Sequence, residues 1–202
     1  MMQAVPMLDD VTAVVLAGGR SSRFGSDKLA FEIDGRTMLD HAVDAVAAVT
    51  PRVVLVLAPG VEMPAARAST DVAIVHDAIA FEGPLAALAA ALAGIETPVA
   101  LVVAGDMPRM VPAVLRRLAS TVGADRRAVN LEVPRRVQPL PMAISAEAAR
   151  PVVAALLERG ERSLRALLAE LGATSIPAPV WLSLDPAGAT ILDVNRPGDL
   201  RP

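Results

Sequence analysis

The sequence predicts a single α/β domain, built as a doubly wound and mostly parallel sheet with helices on both faces. Short apolar runs rich in β-branched residues alternate with stretches of helical periodicity, and the connections between them are short. The chain has 202 residues, 53% of them hydrophobic, which is enough for one full core. We therefore expect one domain over residues 1–202, with residues 1–10 flexible.

The first elements follow from local patterns. Val11–Leu16 is an apolar run that stops at two glycines, as a buried parallel strand does. Leu29–Ile33 predicts a short extended piece, closed by a turn at Asp34-Gly35. Thr37 precedes apolar residues spaced as on one face of a helix, and its hydroxyl can cap that helix.

The middle of the chain repeats the alternation. Three more apolar runs predict strands, namely Arg52–Leu57, Val72–Val75 and Pro98–Val103. Gly83-Pro84 opens an Ala- and Leu-rich helix that extends to about Gly94. A second helix is predicted over Pro112–Val122, with Pro at a position that the first turn tolerates.

The C-terminal third continues in the same way. Strands are predicted over Ala128–Val133 and Leu140–Ile144, and a last strand over Ala189–Val194. Helices are predicted over Ala146–Glu158 and Ser163–Leu171.

Composition excludes several classes of function. Aromatic residues make up 2% and the net charge is −3, which argues against a base-stacking or basic nucleic-acid surface. There is no cysteine, so disulfides, thiolate catalysis and Cys-ligated metals are excluded. The longest apolar stretch, Gly83–Gly105, is cut at Glu96-Thr97-Pro98, and the N-terminus has no basic region typical of a signal peptide. We expect a cytoplasmic protein with no nucleic-acid or membrane partner.

The loop after the first strand has the character of an anion site. Leu16-Ala17-Gly18-Gly19 brings small residues whose amides can approach a phosphate, and Arg23 can fork onto it. Neither the P-loop pattern nor the dinucleotide G-x-G-x-x-G pattern is present. The alternative is an ordinary glycine turn with solvated arginines.

Lys28, at the far end of this loop, is the one lysine among 19 Lys and Arg residues. A compact ammonium suits a phosphate that must bind and then leave, which a planar guanidinium does less well. The alternative is a lysine that remains there by chance.

Carboxylates follow the strands that come later. Ligands bind at the carboxyl ends of such strands, where Asp106 stands between Gly105 and Met107-Pro108 and could hold Mg²⁺. Asp193 and Asn195 are two residues apart and could add further oxygen ligands. The alternatives are a turn or capping Asp106 and a helix-capping Asn195.

Together these residues resemble the molybdenum cofactor guanylyltransferases, a MobA-like family of nucleotidyltransferases with a Rossmann-like fold. The resemblance covers nearly the whole chain. It is carried by Leu16-Ala17-Gly18-Gly19-x-Ser-x-Arg23-Phe24-Gly25-x-Asp27-Lys28, Gly83-Pro84-Leu85, Gly105-Asp106-Met107-Pro108, Gln138-Pro139-Leu140-Pro141, Gly160-Glu161-Arg162-Ser163-Leu164-Arg165 and Asp193-Val194-Asn195-Arg196-Pro197.

The resemblance implies a Mg²⁺-dependent reaction in which GTP and molybdopterin give the guanine dinucleotide cofactor and pyrophosphate. It implies that backbone groups of Leu16, Ala17, Gly18 and Gly19 line GTP, that Lys28 holds phosphate, that Asp77 helps to bind the nucleoside and that Asp106 ligates the metal. Lys28, Arg23 and Asp106 are then the expected catalytic residues, and Asp106, Asp193 and Asn195 the expected metal ligands. Transient contact with other proteins of molybdenum cofactor metabolism is also expected.

Other functions stay open at this point. Family members often carry an Asn after the second strand that contacts guanine, whereas Leu55–Pro59 has no amide side chain. A related NTP transferase that uses CTP, or that acts on another small phosphorylated acceptor, therefore remains an alternative. A non-catalytic nucleotide-binding protein of the same fold is a second alternative. A hydride-transferring oxidoreductase is a distant third, for want of the glycine fingerprint.

Overall fold

A seven-stranded sheet forms the centre of the computed structural model, which describes residues 6–17, 31–61, 72–76, 83–134 and 138–194. In sheet order the strands are β5 (Val72–His76), β4 (Arg52–Leu57), β1 (Val11–Leu16), β6 (Val99–Ala104), β8 (Met142–Ser145), β7 (Ala128–Leu131) and β9 (Thr174–Ile176). Only β8 runs antiparallel to its neighbours within this sheet. The predicted, mostly parallel sheet is confirmed.

Helices cover both faces of the sheet, as predicted. They are α1 (Met38–Ala47), α2 (Pro84–Gly94), α3 (Pro112–Ala119), α4 (Ala146–Glu158), α5 (Leu164–Glu170) and α6 (Ala178–Leu182). Helices α1, α3 and α6 contribute to one buried apolar cluster, and α2, α4 and α5 to a second on the other face. Across the described ranges, none of the helices combines the length and apolarity that crossing a bilayer requires.

Local sequence explains where α1 begins. A hairpin of β2 (Glu32–Ile33) and β3 (Arg36–Thr37) precedes it, and positive φ angles at Asp34 and Gly35 make the predicted turn. The Thr37 hydroxyl accepts from the amide of Asp40 at 3.0 Å, while the Asp40 carboxylate accepts from the amide of Thr37 at 3.2 Å. This capping box confirms the predicted helix start. A hydrogen bond to Asp44 raises the pKa of Arg36 above its usual value.

Several predicted bounds shift. Helix α3 ends at Ala119 rather than Val122, and β7 ends at Leu131 rather than Val133. Strand β8 begins at Met142 rather than Leu140, since Pro141 has no N–H with which to join a sheet.

The predicted strand Ala189–Val194 is wrong. The structure has a 3-10 helix over Ala189–Ile191, entered through Gly188 at φ 63°. The buried Thr190 accounts for this difference, because its amide donates to Asp185 Oδ2 at 2.7 Å and its hydroxyl accepts from the amide of Val111 at 3.0 Å. The edge strand beside β7 is β9, which was not predicted; neither was α6.

The N-terminal segment expected to be flexible is described only in part. Residues 1–5 lie outside the described residues. Three carbonyl groups of the remainder accept hydrogen bonds from the body of the protein, namely those of Pro6 (from Arg116), Asp9 (from Arg52) and Asp10 (from Val99).

Candidate functional site

The carboxyl ends of four parallel strands meet at one edge of the sheet. Leu16, the last residue of β1, is in register with Val56 of β4 and with Ala104 of β6, and Leu57 is in register with His76 of β5. Every loop that follows these strands therefore begins at the same edge. This is the edge at which ligands bind in open α/β sheets.

The first of these loops leaves the sheet at Ala17. The amide of Ala17 donates to the carbonyl of Val56 at 2.9 Å, and the carbonyl of Leu16 accepts from the amide of Gly105 at 3.0 Å. These two backbone groups therefore belong to the sheet. The loop also starts directly beside the segment that carries Asp106.

Buried methionines anchor the loop that carries Asp106. Met107 is 1% exposed and Met110 is 5% exposed, and the amide of Met107 donates to the carbonyl of Ala104 at 3.3 Å. The side chain of Asp106 is partly exposed at the strand end. An anchored backbone with a carboxylate at its surface suits a ligand-holding role.

The segment that carries Asp193 lies beside the segment that carries Asp106. The amide of Val194 donates to the carbonyl of Asp106 at 3.0 Å. Val194 is buried at 4% exposure, whereas its neighbour Asp193 is exposed. Asp193 thus reaches this edge of the sheet from a loop and not, as predicted, from the end of a strand.

The residues at this edge fit Mg²⁺ if phosphate completes its coordination. Asp106 and Asp193 offer hard carboxylate oxygens on two segments that are hydrogen-bonded to each other. Among the residues that the structure describes, no group of three His, Cys, Asp or Glu side chains could hold a metal without other ligands. Mg²⁺ commonly uses one or two carboxylates together with substrate phosphates. Asp106 and Asp193 could supply the carboxylates.

The other predicted site residues, Gly18, Gly19, Arg23, Lys28, Asp77 and Asn195, lie outside the described residues. Their described neighbours Ala17, His76 and Val194 stand at the carboxyl edge of the sheet. The structure therefore brings together Leu16, Ala17, Asp106 and Asp193 of the predicted set.

Sequence reasoning missed one contact at this edge. The loop after α4 packs on the start of α2, where the amide of Leu85 lies 3.4 Å from the carbonyl of Arg162. Glu161 shapes that loop, because its Oε1 accepts from the amides of Arg162 and Ser163 at 2.7 and 2.8 Å. Both segments were part of the resemblance, but nothing in their spacing indicates that they touch.

Fold and site together define an open α/β protein with its ligand edge at the carboxyl ends of β1, β4, β5 and β6. Residues 13–175 match the model of the MobA-like NTP transferase domain. The chain belongs to this family, which confirms the predicted resemblance and the nucleotidyltransferase class.

Individual relatives agree over nearly the full length. A "Probable molybdenum cofactor guanylyltransferase" of Chloroflexus aggregans is 31% identical over 196 residues, covering 95% of this chain and 92% of that protein. The "Molybdenum cofactor guanylyltransferase" of Desulfosudis oleivorans is 27% identical over 197 residues, covering 96% and 94%. The crystal structure of molybdopterin-guanine dinucleotide biosynthesis protein A from Archaeoglobus fulgidus has a TM-score of 0.73 at 20% identity, with 94% of each chain covered, and supports the fold.

Proposed function

We propose that this enzyme transfers GMP from GTP to molybdopterin, releases pyrophosphate and uses Mg²⁺ as its cofactor. The observation that carries the proposal is the 3.0 Å hydrogen bond between the amide of Val194 and the carbonyl of Asp106. It joins two carboxylate-bearing segments beside the start of the glycine loop. Family membership and the names of the relatives support the choice of reaction.

The glycine loop is assigned to the triphosphate. Because the amide of Ala17 and the carbonyl of Leu16 are bonded within the sheet, these two residues orient the loop. We assign the phosphate contacts of the loop to the backbone amides of Gly18 and Gly19. Arg23 and Lys28 add the positive charge that a departing pyrophosphate requires.

Asp106 and Asp193 are assigned to the metal, with Asn195 as a further oxygen donor. Bound Mg²⁺ would offset negative charge on the phosphates of the nucleotide. Asp106 contributes through a backbone that its buried neighbours hold in place, so little reorganisation is needed when the nucleotide arrives.

The reaction needs no covalent enzyme intermediate. An oxygen of the terminal phosphate of molybdopterin forms a bond to the α-phosphorus of GTP. The bond from that phosphorus to the α–β bridging oxygen breaks, and pyrophosphate leaves with the electron pair. The residues of the chain supply positioning and charge neutralisation, which suits a sequence without cysteine.

Asp77 is assigned to the nucleoside, since it follows β5 directly at the ligand edge. The cytoplasmic location and the transient contacts with other proteins of molybdenum cofactor metabolism stay predictions.

Pyrophosphate release, measured with each of the four NTPs with and without molybdopterin and Mg²⁺, tests the proposal. We expect release that depends on GTP, acceptor and metal together. Release with CTP in preference to GTP would assign the enzyme to a cytidylyl branch of the same family. Nucleotide binding without turnover under any of these conditions would contradict catalysis.

A further inference from the structure

The segment that carries Asp193 is attached to the segment that carries Asp106 at two points. One is the bond from the amide of Val194 to the carbonyl of Asp106, at 3.0 Å. The other is the bond from the amide of Val111 to the hydroxyl of Thr190, also at 3.0 Å. Thr190 precedes Val194 in sequence whereas Val111 follows Asp106, so the two segments run side by side in opposite directions.

Two hydrogen bonds restrain the segment that carries Asp193 more tightly than one bond would. A single bond at Val194 would let residues 190–193 pivot about the Asp106 carbonyl. The second bond, at Thr190, stops that rotation and leaves Asp193 between the two attachment points. The backbone of Asp193 is thereby placed relative to Asp106.

Thr190 is itself held in place by burial and by Asp185. Thr190 is 0% exposed, and its amide donates to Asp185 Oδ2 at 2.7 Å. Asp185 is 3% exposed and lies just past α6, where its amide donates to the carbonyl of Trp181 at 3.1 Å. The attachment therefore extends from the core of the protein to the candidate metal residues.

We propose that Thr190, supported by Asp185, is a positioning residue of the metal site. It sets the placement of the Asp193 segment against Asp106 and thereby the affinity for a metal-bound nucleotide. This inference rests on the proposed function. Removal of partners that orient metal ligands commonly weakens metal binding about 10- to 100-fold.

Thr190→Val tests the inference, because valine has nearly the same shape but cannot accept the bond from Val111. Two binding constants are measured without acceptor: that for Mn²⁺–GTP by water-proton relaxation, and that for GTP in EDTA by calorimetry. We expect Thr190→Val to weaken Mn²⁺–GTP binding about tenfold and to leave metal-free GTP binding unchanged. Thr190→Ser keeps the hydroxyl and should behave as wild type.

Thr121→Val is the matched control. Thr121 lies just past α3, and its hydroxyl donates to the carbonyl of Arg117 at 2.6 Å at an exposed position. Both binding constants should be unchanged in this variant. Equal weakening of both constants in Thr190→Val would indicate a merely structural role and overturn the inference, as would unchanged Mn²⁺–GTP binding. A wild-type protein that binds neither form of GTP would overturn the proposed function itself and this inference with it.

Amide exchange in the wild-type protein gives a second test that does not depend on whether a variant folds. We expect the amides of Val111 and Val194 to open with the same free energy, as parts of one cooperative unit. A Val194 amide that exchanges freely while the Val111 amide stays protected would contradict the two-point attachment.

Discussion

Gly83 lies so close to Arg162 that a Cβ built on Gly83 would stand 3.0 Å from the Arg162 Cβ and 3.3 Å from the Arg162 carbonyl oxygen. Gly83 also has φ 96° and ψ 170°, a conformation that is essentially restricted to glycine. The start of α2 and the loop after α4 are thus fitted together through a position that has no side chain.

Gly83→Ala should lower the free energy of unfolding by about 1–3 kcal/mol, because alanine is strained at this φ and must displace Arg162. Chemical denaturation measures the change. Gly94→Ala is the control, since Gly94 ends the same helix with nothing within 4 Å of an added Cβ. Equal stability of the two variants would contradict both the strain at this φ and the steric cost of the contact with Arg162.

Glu161→Ala should destabilise the loop after α4 by about 1.5–3 kcal/mol, because the charged Oε1 accepts hydrogen bonds from two backbone amides. Glu161→Gln keeps an acceptor and should lose less. Glu158→Ala, at the exposed end of α4, serves as the control. Thermal unfolding distinguishes them, and a Glu161→Ala variant as stable as Glu158→Ala would argue against the loop-bracing role.

Asp106→Asn should lower the turnover number by about 10²–10³ while the protein stays folded. The bond from Val194 goes to the main-chain carbonyl of residue 106, so the substitution keeps that bond. Steady-state pyrophosphate release measures the loss, with Asp125→Asn, an exposed turn residue, for comparison. Near-normal turnover in folded Asp106→Asn would remove Asp106 from the metal site.

Lys28→Ala should reduce turnover by a comparable factor of about 10²–10³ if the lysine stabilises the leaving pyrophosphate. Lys28→Arg should restore only part of the rate, because a planar guanidinium does not replace a compact ammonium. Single-turnover rates at saturating GTP separate chemistry from binding. Full activity in Lys28→Ala would show that the position of the one lysine has no catalytic meaning.

Trp181, the single tryptophan, should report on folding through its fluorescence. It is 2% exposed, and its Nε1 donates to the carbonyl of Glu132 at 3.0 Å. We expect blue-shifted emission in the native protein and a red shift on unfolding that coincides with the loss of circular dichroism. Native emission at the wavelength of a solvated indole would show that Trp181 is exposed and would contradict the packing of α6 on the core.

The parallel half of the sheet could be predicted because its strands are buried on both sides. Val11–Leu16 and Arg52–Leu57 read as nearly continuous apolar runs, and their observed bounds match the predicted ones. A helix start could likewise be predicted from its capping residue, as at Thr37 before α1. In each case the determining pattern lies within a few residues of the element.

Elements that depend on distant partners could not be predicted. The apolar pattern of residues 189–194 suits a strand, yet Thr190 satisfies its polar groups with Asp185 and Val111 and the chain turns instead. Strand β9 has three residues, of which Ile176 is the buried one, too little for periodicity to reveal.

The candidate site shows the same division. Asp106 could be placed at the ligand edge because it follows a predicted parallel strand. The position of Asp193 could not, because it depends on the bond between Val194 and the carbonyl of Asp106. The packing of Gly83 on Arg162 likewise joins residues far apart in sequence.

A crystal structure of the enzyme with GTP and Mg²⁺ and without acceptor tests the proposed site most directly. We expect the triphosphate at the carboxyl ends of β1 and β6, with an Asp106 carboxylate oxygen about 2.0–2.1 Å from the metal. A triphosphate bound at any other edge of the sheet, or a metal with no ligand from Asp106 or Asp193, would contradict it.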